Sequence, residues 1–248
     1  MKTRSTRTTL TALALVALAA VALSGCSTGS DIAPEKQPAA ESSTQGNTEN
    51  STEDGTESGA SQKPGACEYV PSGNASKKVE LPGDTKPNGT VTVKLKTSVG
   101  ELTAQLEADR APCTVESFVS LAEQGFFNST SCHRLTTDGI YVLQCGDPTG
   151  LGSGGPGYSF ADELDKTASS DYIPGTLAMA NAGPDTNGSQ FFLVYEDSTG
   201  LPPAYTVFGF LEPASLDLVK SVGAAGTISG APDGAPKRKV TIESVSVG

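Results

Sequence analysis

The only histidine of the 248 residues, His133, is followed directly by Arg134, and the two side chains suit different chemistries. A lone histidine can act as a general base, but a serine hydrolase also needs a nucleophile in a Gly-x-Ser-x-Gly setting. The fragment Gly152-Ser153-Gly154 is only turn-like. If the two residues lie in a strand, His133 points to the interior when Arg134 faces a groove. We expect a structural, hydrogen-bonded His133, and an extracellular hydrolase that uses it remains an alternative.

The most specific segment, residues 177–192, reads LAMANAGPDTNGSQFF. It predicts a strand, a turn-rich loop and a second strand that carries two aromatic residues. The small side chains of Ala180 and Ala182 would leave room beside the backbone of a ligand. Taken alone, the segment could also be a plain core hairpin.

The N-terminus has the pattern of an export signal. Three basic residues occur among the first seven, an apolar run covers residues 10–23, and Leu23-Ser24-Gly25-Cys26 follows. The run is short for a membrane span and has the proportions of a signal-peptide core. Leu-Ser-Gly-Cys resembles the bacterial lipobox, in which the cysteine becomes the lipidated first residue. We expect removal of residues 1–25, lipidation of Cys26, and a location outside the cytoplasm, anchored to the cell membrane.

Residues 26–66 form a predicted tether. After Cys26 the stretch is rich in Ser, Thr, Glu and Gly, with Ile32 as its only large aliphatic residue. Such a segment cannot bury enough apolar surface to offset its ordering entropy, so we expect it to be disordered.

The folded domain is predicted to begin near Cys67, because every aromatic residue lies between Tyr69 and Phe210. From Cys67 to the end there are 12 basic and 21 acidic residues, a net charge of −9 within the −11 of the chain. A basic nucleic-acid binder is therefore disfavoured, and the lipid would have to provide the membrane anchoring. One domain suits this length, and we expect it to be a monomer.

The other cysteines fit an exported domain. If Cys26 is lipidated, four remain, and they permit two disulfides in any of three connectivities, with buried free thiols as the alternative. The chain has no Cys-x-x-Cys pair and one histidine, so we expect no metal site. The four are Cys67, Cys113, Cys132 and Cys145.

The pattern of the domain predicts many short strands and two helices. Alternating apolar residues over 91–95 and 102–106 predict a hairpin. Helical spacing follows Pro112 up to Gly125, and again from Pro213 up to Gly223. Further short strands with regular turns favour a mainly β sandwich or a closed barrel whose ends the helices cap.

At this point the sequence resembles a known family. Residues 177–192 look like the signature of cyclophilins, which are peptidyl-prolyl cis-trans isomerases. Two further matches occur in the family's order: His133-Arg134 followed by Gln144-Cys145-Gly146-Asp147, and Val207-Phe208-Gly209. The resemblance covers residues 88–248 and leaves 67–87 as an N-terminal extension. It implies a closed eight-stranded antiparallel barrel capped by two helices, isomerase activity on proline-containing polypeptides such as unfolded or exported proteins, and no cofactor.

The resemblance also implies a set of site residues. Arg134 would be catalytic, and the substrate would be bound by Tyr141, Val142, Gln144, Ala180, Asn181, Ala182, Gln190, Phe192, Leu201 and Tyr205. The chain departs from the family's pattern by two extra residues before Gln144, and counting back from Gln144 places Tyr141 and Val142 at the family's pocket positions. Gly200 stands where the family has a tryptophan associated with cyclosporin binding, which argues against strong drug binding. Tyr205 stands where a histidine is common.

Arginine suits the predicted reaction on physical grounds. Rotation about an X-Pro bond has a barrier of about 18–20 kcal/mol because the amide is conjugated. A fixed guanidinium can stabilise the twisted amide by donating hydrogen bonds while an apolar pocket holds the ring. The alternative on the same fold is a non-catalytic proline-peptide binding module or holdase chaperone.

Overall fold

The computed structural model describes residues 67–83 and 86–248. The predicted signal peptide, Cys26 and the tether lie outside these residues. No helix within the two described stretches has the length and apolar character needed to cross a membrane.

The described residues form a mainly β domain with two α-helices, as expected. A short 3-10 helix covers Ser169–Asp171. The helices are α1, Pro112–Glu123, and α2, Pro213–Ala225. The strands are β1 Val70–Pro71, β2 Thr90–Thr97, β3 Gly100–Glu107, β4 Thr130–Ser131, β5 Arg134–Thr136, β6 Val142–Cys145, β7 Tyr158–Ser159, β8 Thr176–Met179, β9 Phe191–Val194, β10 Val207–Leu211, β11 Asp233–Gly234 and β12 Thr241–Val247.

The prediction of a closed eight-stranded barrel is wrong in its detail. Ten strands of the described residues form one curled antiparallel sheet, in the order β11-β5-β6-β9-β8-β10-β3-β2-β12-β4, and β1 and β7 pair separately. The edge strands β11 and β4 do not pair with each other. The chain changes partners between β4 and β5, where the Cys132 N–H bonds to Val240 and the His133 N–H to Gln144. The sheet therefore curls into a half-barrel.

Alternation along the strands divides the buried residues into two clusters. On β8 and β9, Leu177 and Leu193 belong to the main core, which also contains the buried face of α1. Their neighbours Ala178 and Phe192 belong to a smaller cluster with Tyr172. Because side chains on a strand alternate between faces, one sheet supports a core on one side and a second apolar patch on the other.

Both helices pack on β3 of the sheet, and in addition α1 packs on β12 and α2 on β6. Both begin at a proline, as predicted. The predicted end of α2 at Gly223 is wrong, because the helix continues to Ala225. Gly223 is required for close packing, since a Cβ there would collide with the ring of Tyr195. Gly226, with φ of 75°, follows the last helical residue.

The four cysteines of the domain form two disulfides, which resolves the three possible connectivities. Cys67 pairs with Cys113 at the start of α1, across 46 residues of sequence. Cys132 pairs with Cys145 at the end of β6, across 13 residues. The first disulfide links the residues before β1 to the start of α1, and the second lies beside Arg134 and Gln144.

Candidate active site

A pocket of about 190 Å³ lies over the smaller apolar cluster of the sheet. We call it the apolar pocket. Arg134 is the only charged residue that lines it within the described part of the chain. The lining residues are Arg134, Ile140, Val142, Gln144, Ala180, Asn181, Phe192, Leu201 and Tyr205.

One side of the apolar pocket is formed by alternate residues along β6 and the residues just before it. Ile140, Val142 and Gln144 line the pocket. The residues between them face the other way: Leu143 is buried in the main core, and Tyr141 packs against that core and meets Tyr195 edge-on at 5.9 Å. The structure therefore places Tyr141, a predicted pocket residue, outside the lining of the apolar pocket. Counting in steps of two from Gln144 would have identified Ile140 instead.

The aromatic wall of the pocket has a buried support that the sequence did not indicate. Phe192 meets Tyr205 edge-on, with ring centroids 5.5 Å apart. Tyr172 lies fully buried behind both rings. Its hydroxyl donates to the Tyr205 carbonyl at 3.0 Å and accepts the Tyr205 N–H at 3.1 Å. The two backbone bonds fix Tyr205 at the edge of the pocket.

The guanidinium of Arg134 is held by an acidic partner from a distant part of the sequence. Its Nε donates to Asp233 Oδ1 at 2.9 Å, and its Nη2 donates to Asp233 Oδ2 at 2.6 Å. Asp233 is brought there because β11 pairs with β5. On the other side, Nη1 donates to Gln144 Oε1 at 3.2 Å. The guanidinium plane is thus fixed from two sides.

This pairing leaves Arg134 charged and able to bind a substrate. Hydrogen bonding to Asp233 raises the pKa of Arg134, and hydrogen bonding to Arg134 lowers the pKa of Asp233. Of the five N–H donors of arginine, three are used by Asp233 and Gln144, which leaves two. The Arg134 side chain is 39% exposed, so those donors can reach a ligand.

A chain of amides continues from Arg134 into a second cavity. Gln144 Nε2 donates to Gln190 Oε1 at 2.9 Å, and Gln190 Nε2 donates to the carbonyls of Gly152 and Gly154 at 3.0 Å. Gln190 and Ala182 line this second cavity rather than the apolar pocket, whereas Gln144 lines both. The predicted substrate residues are therefore divided between two compartments.

Asn181 lies at the boundary of the two compartments and lines both. Its side-chain amide donates to the Ala204 carbonyl at 2.8 Å, which fixes the loop that leads to Tyr205. Its own N–H and C=O make no hydrogen bond within the described residues. An extended peptide could therefore pair with this backbone as with a strand edge.

His133 does not have the environment of a general base. It precedes β5, and neither ring nitrogen has a hydrogen-bond partner within the described residues. Burial lowers the pKa of His133. The ring lies against Gly152, where an added Cβ would be 3.5 Å from it. The prediction of a hydrogen-bonded histidine is wrong, and the geometry gives no support to a hydrolase.

Leu201 is the last of the predicted substrate residues to be placed. Leu201 lines the apolar pocket, and nothing lies within 4 Å of a Cβ placed on its neighbour Gly200. In the described part of the chain, no group of three or more His, Cys, Asp or Glu residues could hold a metal ion. The arrangement can therefore bind a small apolar ring and place two N–H donors at its edge.

Two comparisons with known proteins agree with this geometry. A family model described as "Cyclophilin type peptidyl-prolyl cis-trans isomerase/CLD" matches residues 92–247. A cyclophilin type isomerase of Cryptosporidium parvum, solved in the presence of the dipeptide Ala-Pro, has a similar structure. It is 29% identical, with a TM-score of 0.56, and the match covers 63% of this chain and 98% of that one.

Mycobacterial proteins are similar in sequence. The "Probable peptidyl-prolyl cis-trans isomerase B" of Mycobacterium tuberculosis is 50% identical over 194 residues, which cover 72% of this chain and 63% of that protein. The protein of the same name from Mycobacterium leprae is 48% identical, with 72% and 65% covered. The chain thus spans slightly less than two thirds of the length of these relatives.

Proposed function

We propose that this chain, which belongs to the cyclophilin-type peptidyl-prolyl cis-trans isomerase family, catalyses rotation about X-Pro bonds in polypeptides. One observation carries the proposal: the guanidinium of Arg134 is fixed at the edge of an apolar pocket of about 190 Å³. A proline ring requires such a pocket, and its amide requires such a donor.

The reaction follows from the loss of amide conjugation. The barrier of about 18–20 kcal/mol reflects the partial double bond between carbon and nitrogen. At the twisted state the prolyl nitrogen regains its lone pair and can accept a hydrogen bond that it accepts poorly when planar. An N–H of Arg134 that is directed at this nitrogen stabilises the transition state more than the ground state. The step needs no proton transfer and no covalent intermediate.

Binding would combine the ring and the flanking backbone. Val142, Phe192 and Leu201 would contact the ring, because they line the pocket. The Asn181 backbone and the amides of Gln144 and Gln190 would bind the peptide beside the proline. Contacts to backbone tolerate many side chains, so unfolded polypeptides are the substrate class that we propose.

The test separates an isomerase from a binding module. NMR exchange spectroscopy on an Ala-Pro peptide measures the cis–trans exchange rate with and without the protein. We expect catalytic amounts of protein to increase the exchange rate. Saturable binding of the peptide with an unchanged exchange rate would instead identify a holdase or binding module.

We also propose that the protein acts as a monomer outside the cytoplasm, anchored through a lipidated Cys26, and assists the folding of exported proteins. The sequence Leu23-Ser24-Gly25-Cys26 and the two disulfides support this location, since disulfides persist in oxidising compartments. Intact mass spectrometry of the protein from membranes should give a chain that begins at Cys26 and carries acyl groups. A mature chain without lipid would contradict the anchor.

A further inference from the structure

The second cavity adjoins the apolar pocket and is larger, at about 460 Å³. The two share Gln144, Ala180 and Asn181. One part of the second cavity's lining, residues 72–74, precedes the residues 92–247 that the family model matches. This part is an addition of the N-terminal segment, which we define as residues 67–83.

The N-terminal segment is attached to the domain before it reaches the cavity. Cys67 is joined to Cys113 by a disulfide. The Tyr69 hydroxyl donates to the Cys113 carbonyl at 2.8 Å, and its ring meets Tyr158 edge-on at 5.3 Å. Strand β1 then pairs with β7. These contacts fix the direction in which the chain enters the cavity.

Just after residues 72–74, the N-terminal segment is attached a second time, by contacts with residues 150–157. We call residues 150–157 the glycine loop. The Ser76 N–H bonds to the Gly155 carbonyl at 2.9 Å, and the Gly155 N–H bonds to Ser76 Oγ at 3.0 Å. A Cβ on Gly157 would lie only 2.9 Å from Ala75 Cβ. Residues 72–74 are thus held between two sets of fixed contacts.

Among the residues that the structure describes, no charged side chain lines the second cavity. The side chains of Ser72, Asn74 and Ser153 make no hydrogen bond within the described residues, so they are available to a ligand. The lining residues are Ser72, Gly73, Asn74, Gln144, Gly152, Ser153, Gly154, Gly155, Pro156, Tyr158, Ser159, Ala180, Asn181, Ala182, Thr186, Gly188 and Gln190.

This chemistry distinguishes between possible occupants. An amide or hydroxyl side chain can exchange its water for the hydroxyl and amide groups of the lining. A carboxylate would lose hydration without meeting a cation, in a domain whose net charge is −9. The cavity therefore favours uncharged polar side chains and disfavours acidic ones.

We propose that residues 72–74 form part of the substrate groove, and that the second cavity selects an uncharged polar side chain over an acidic one near the proline. The inference rests on the proposed isomerase function, because a proline in the apolar pocket places the rest of the peptide. A residue of an extended chain advances about 3.3–3.6 Å, so side chains within three positions of the proline can reach the adjoining cavity. Ser72 and Asn74 are then specificity-determining residues.

A charge introduced at Asn74 tests this inference. The substrates are peptides with one proline, and each peptide carries Gln or Glu at one of the three positions before or after that proline. NMR exchange spectroscopy gives kcat/KM for each peptide. For the wild type we expect Gln to be preferred over Glu by about threefold or more at one position. Asn74→Lys should shift that ratio toward Glu by about threefold, a shift that 1 M salt weakens.

The matched control is Asn88→Lys, which adds the same charge at an exposed asparagine that lines neither cavity. The inference is overturned if both variants shift the Gln to Glu ratio equally, or if Asn74→Lys shifts it at no position. In both cases the wild type would still accelerate exchange, so the proposed function would stand. A wild type without activity on any peptide overturns both.

Discussion

The apolar pocket and the second cavity share three residues but are built in different ways. The apolar pocket is built around side chains on strands, such as Val142 and Phe192, which belong to a buried cluster of their own. Nearly half of the residues that line the second cavity belong to the glycine loop and residues 72–74, which are held by backbone hydrogen bonds and a disulfide. One depends on the register of the sheet, and the other depends on attached loops.

This difference indicates how turnover and selectivity could be separated in one groove. A change in sheet register would move the side chains that β5, β6 and β9 contribute to the apolar pocket. The N-terminal segment can change its sequence or its attachment without altering the sheet. The structure therefore predicts variants that affect one compartment and leave the other intact.

The largest expected effect on stability comes from the disulfide of the N-terminal segment. Replacing Cys67 and Cys113 by alanine removes a cross-link over 46 residues, which should lower the free energy of unfolding by about 4 kcal/mol. Because the apolar pocket lies on the sheet, kcat/KM for a simple Ala-Pro peptide should change little. Urea unfolding followed by circular dichroism, together with the exchange assay, measures both. A large loss of kcat/KM would contradict the separation.

The second disulfide should affect activity more strongly than the first does, although it contributes less to stability. Replacing Cys132 and Cys145 by alanine removes a cross-link over 13 residues and should cost about 3 kcal/mol. Cys145 directly follows Gln144, and Cys132 lies two residues before Arg134. We expect a clear loss of kcat/KM here, despite the smaller loss of stability. A kcat/KM equal to that of the wild type would contradict the prediction that this disulfide positions Arg134 and Gln144.

Asp233→Ala tests the positioning of the guanidinium. The variant removes the contacts to Nε and Nη2, so we expect kcat to fall about tenfold with little change in KM. Asp233→Asn should restore part of the loss, because it keeps one acceptor. Glu243→Gln, which removes another exposed carboxylate paired with a base, is the matched control and should leave kcat unchanged.

The ion pair of Arg134 and Asp233 predicts that kcat does not change on the acid side of the pH profile. Arg134 lowers the pKa of Asp233, so the ion pair is fully present above the ordinary pKa of Asp, about 3.9. It is lost only as the pH falls through the lower pKa of the folded protein. We expect kcat to stay constant between about pH 7 and 5. A decline in kcat within that range, in a folded protein, would contradict this pairing.

His133 gives the smallest predicted effect and lies next to the glycine loop. Burial lowers its pKa, so the unfolded chain binds the proton more readily than the folded one. Stability should therefore decrease as the pH falls below about 6.5, the ordinary pKa of histidine. Between pH 7 and 5.5, the Tm of His133→Gln should fall by about 2 °C less than the Tm of the wild type. An unchanged pH dependence of Tm would contradict the assignment, and kcat should equal that of the wild type.

Local patterns predicted much of the fold. The hairpin of β2 and β3 and the starts of both helices follow from alternation, helical spacing and proline positions. Gly223 misled the prediction for α2, because a glycine that permits close packing looks like one that ends a helix. The edges of the sheet depend on pairings of distant strands, which no local pattern reports.

At the site, too, local patterns did not report contacts between residues that are distant in the sequence. The motif indicated Arg134, but Asp233 is 99 residues away and is brought to it only by the pairing of β11 with β5. Ile140 was predictable from alternation and was missed because Tyr141 was assigned by counting along the motif. The part that residues 72–74 play in the second cavity was not predictable, since it depends on which cysteine pairs with Cys67.

The central claim is that Arg134 accelerates rotation while the apolar pocket binds the ring. The direct measurement compares wild type and Arg134→Ala for both kcat/KM and peptide affinity, with Arg238→Ala as the matched arginine control outside the pocket. We expect Arg134→Ala to lose about 10²–10³-fold in kcat/KM, as removal of a transition-state donor does, with a much smaller change in affinity. Full activity of Arg134→Ala would contradict the account.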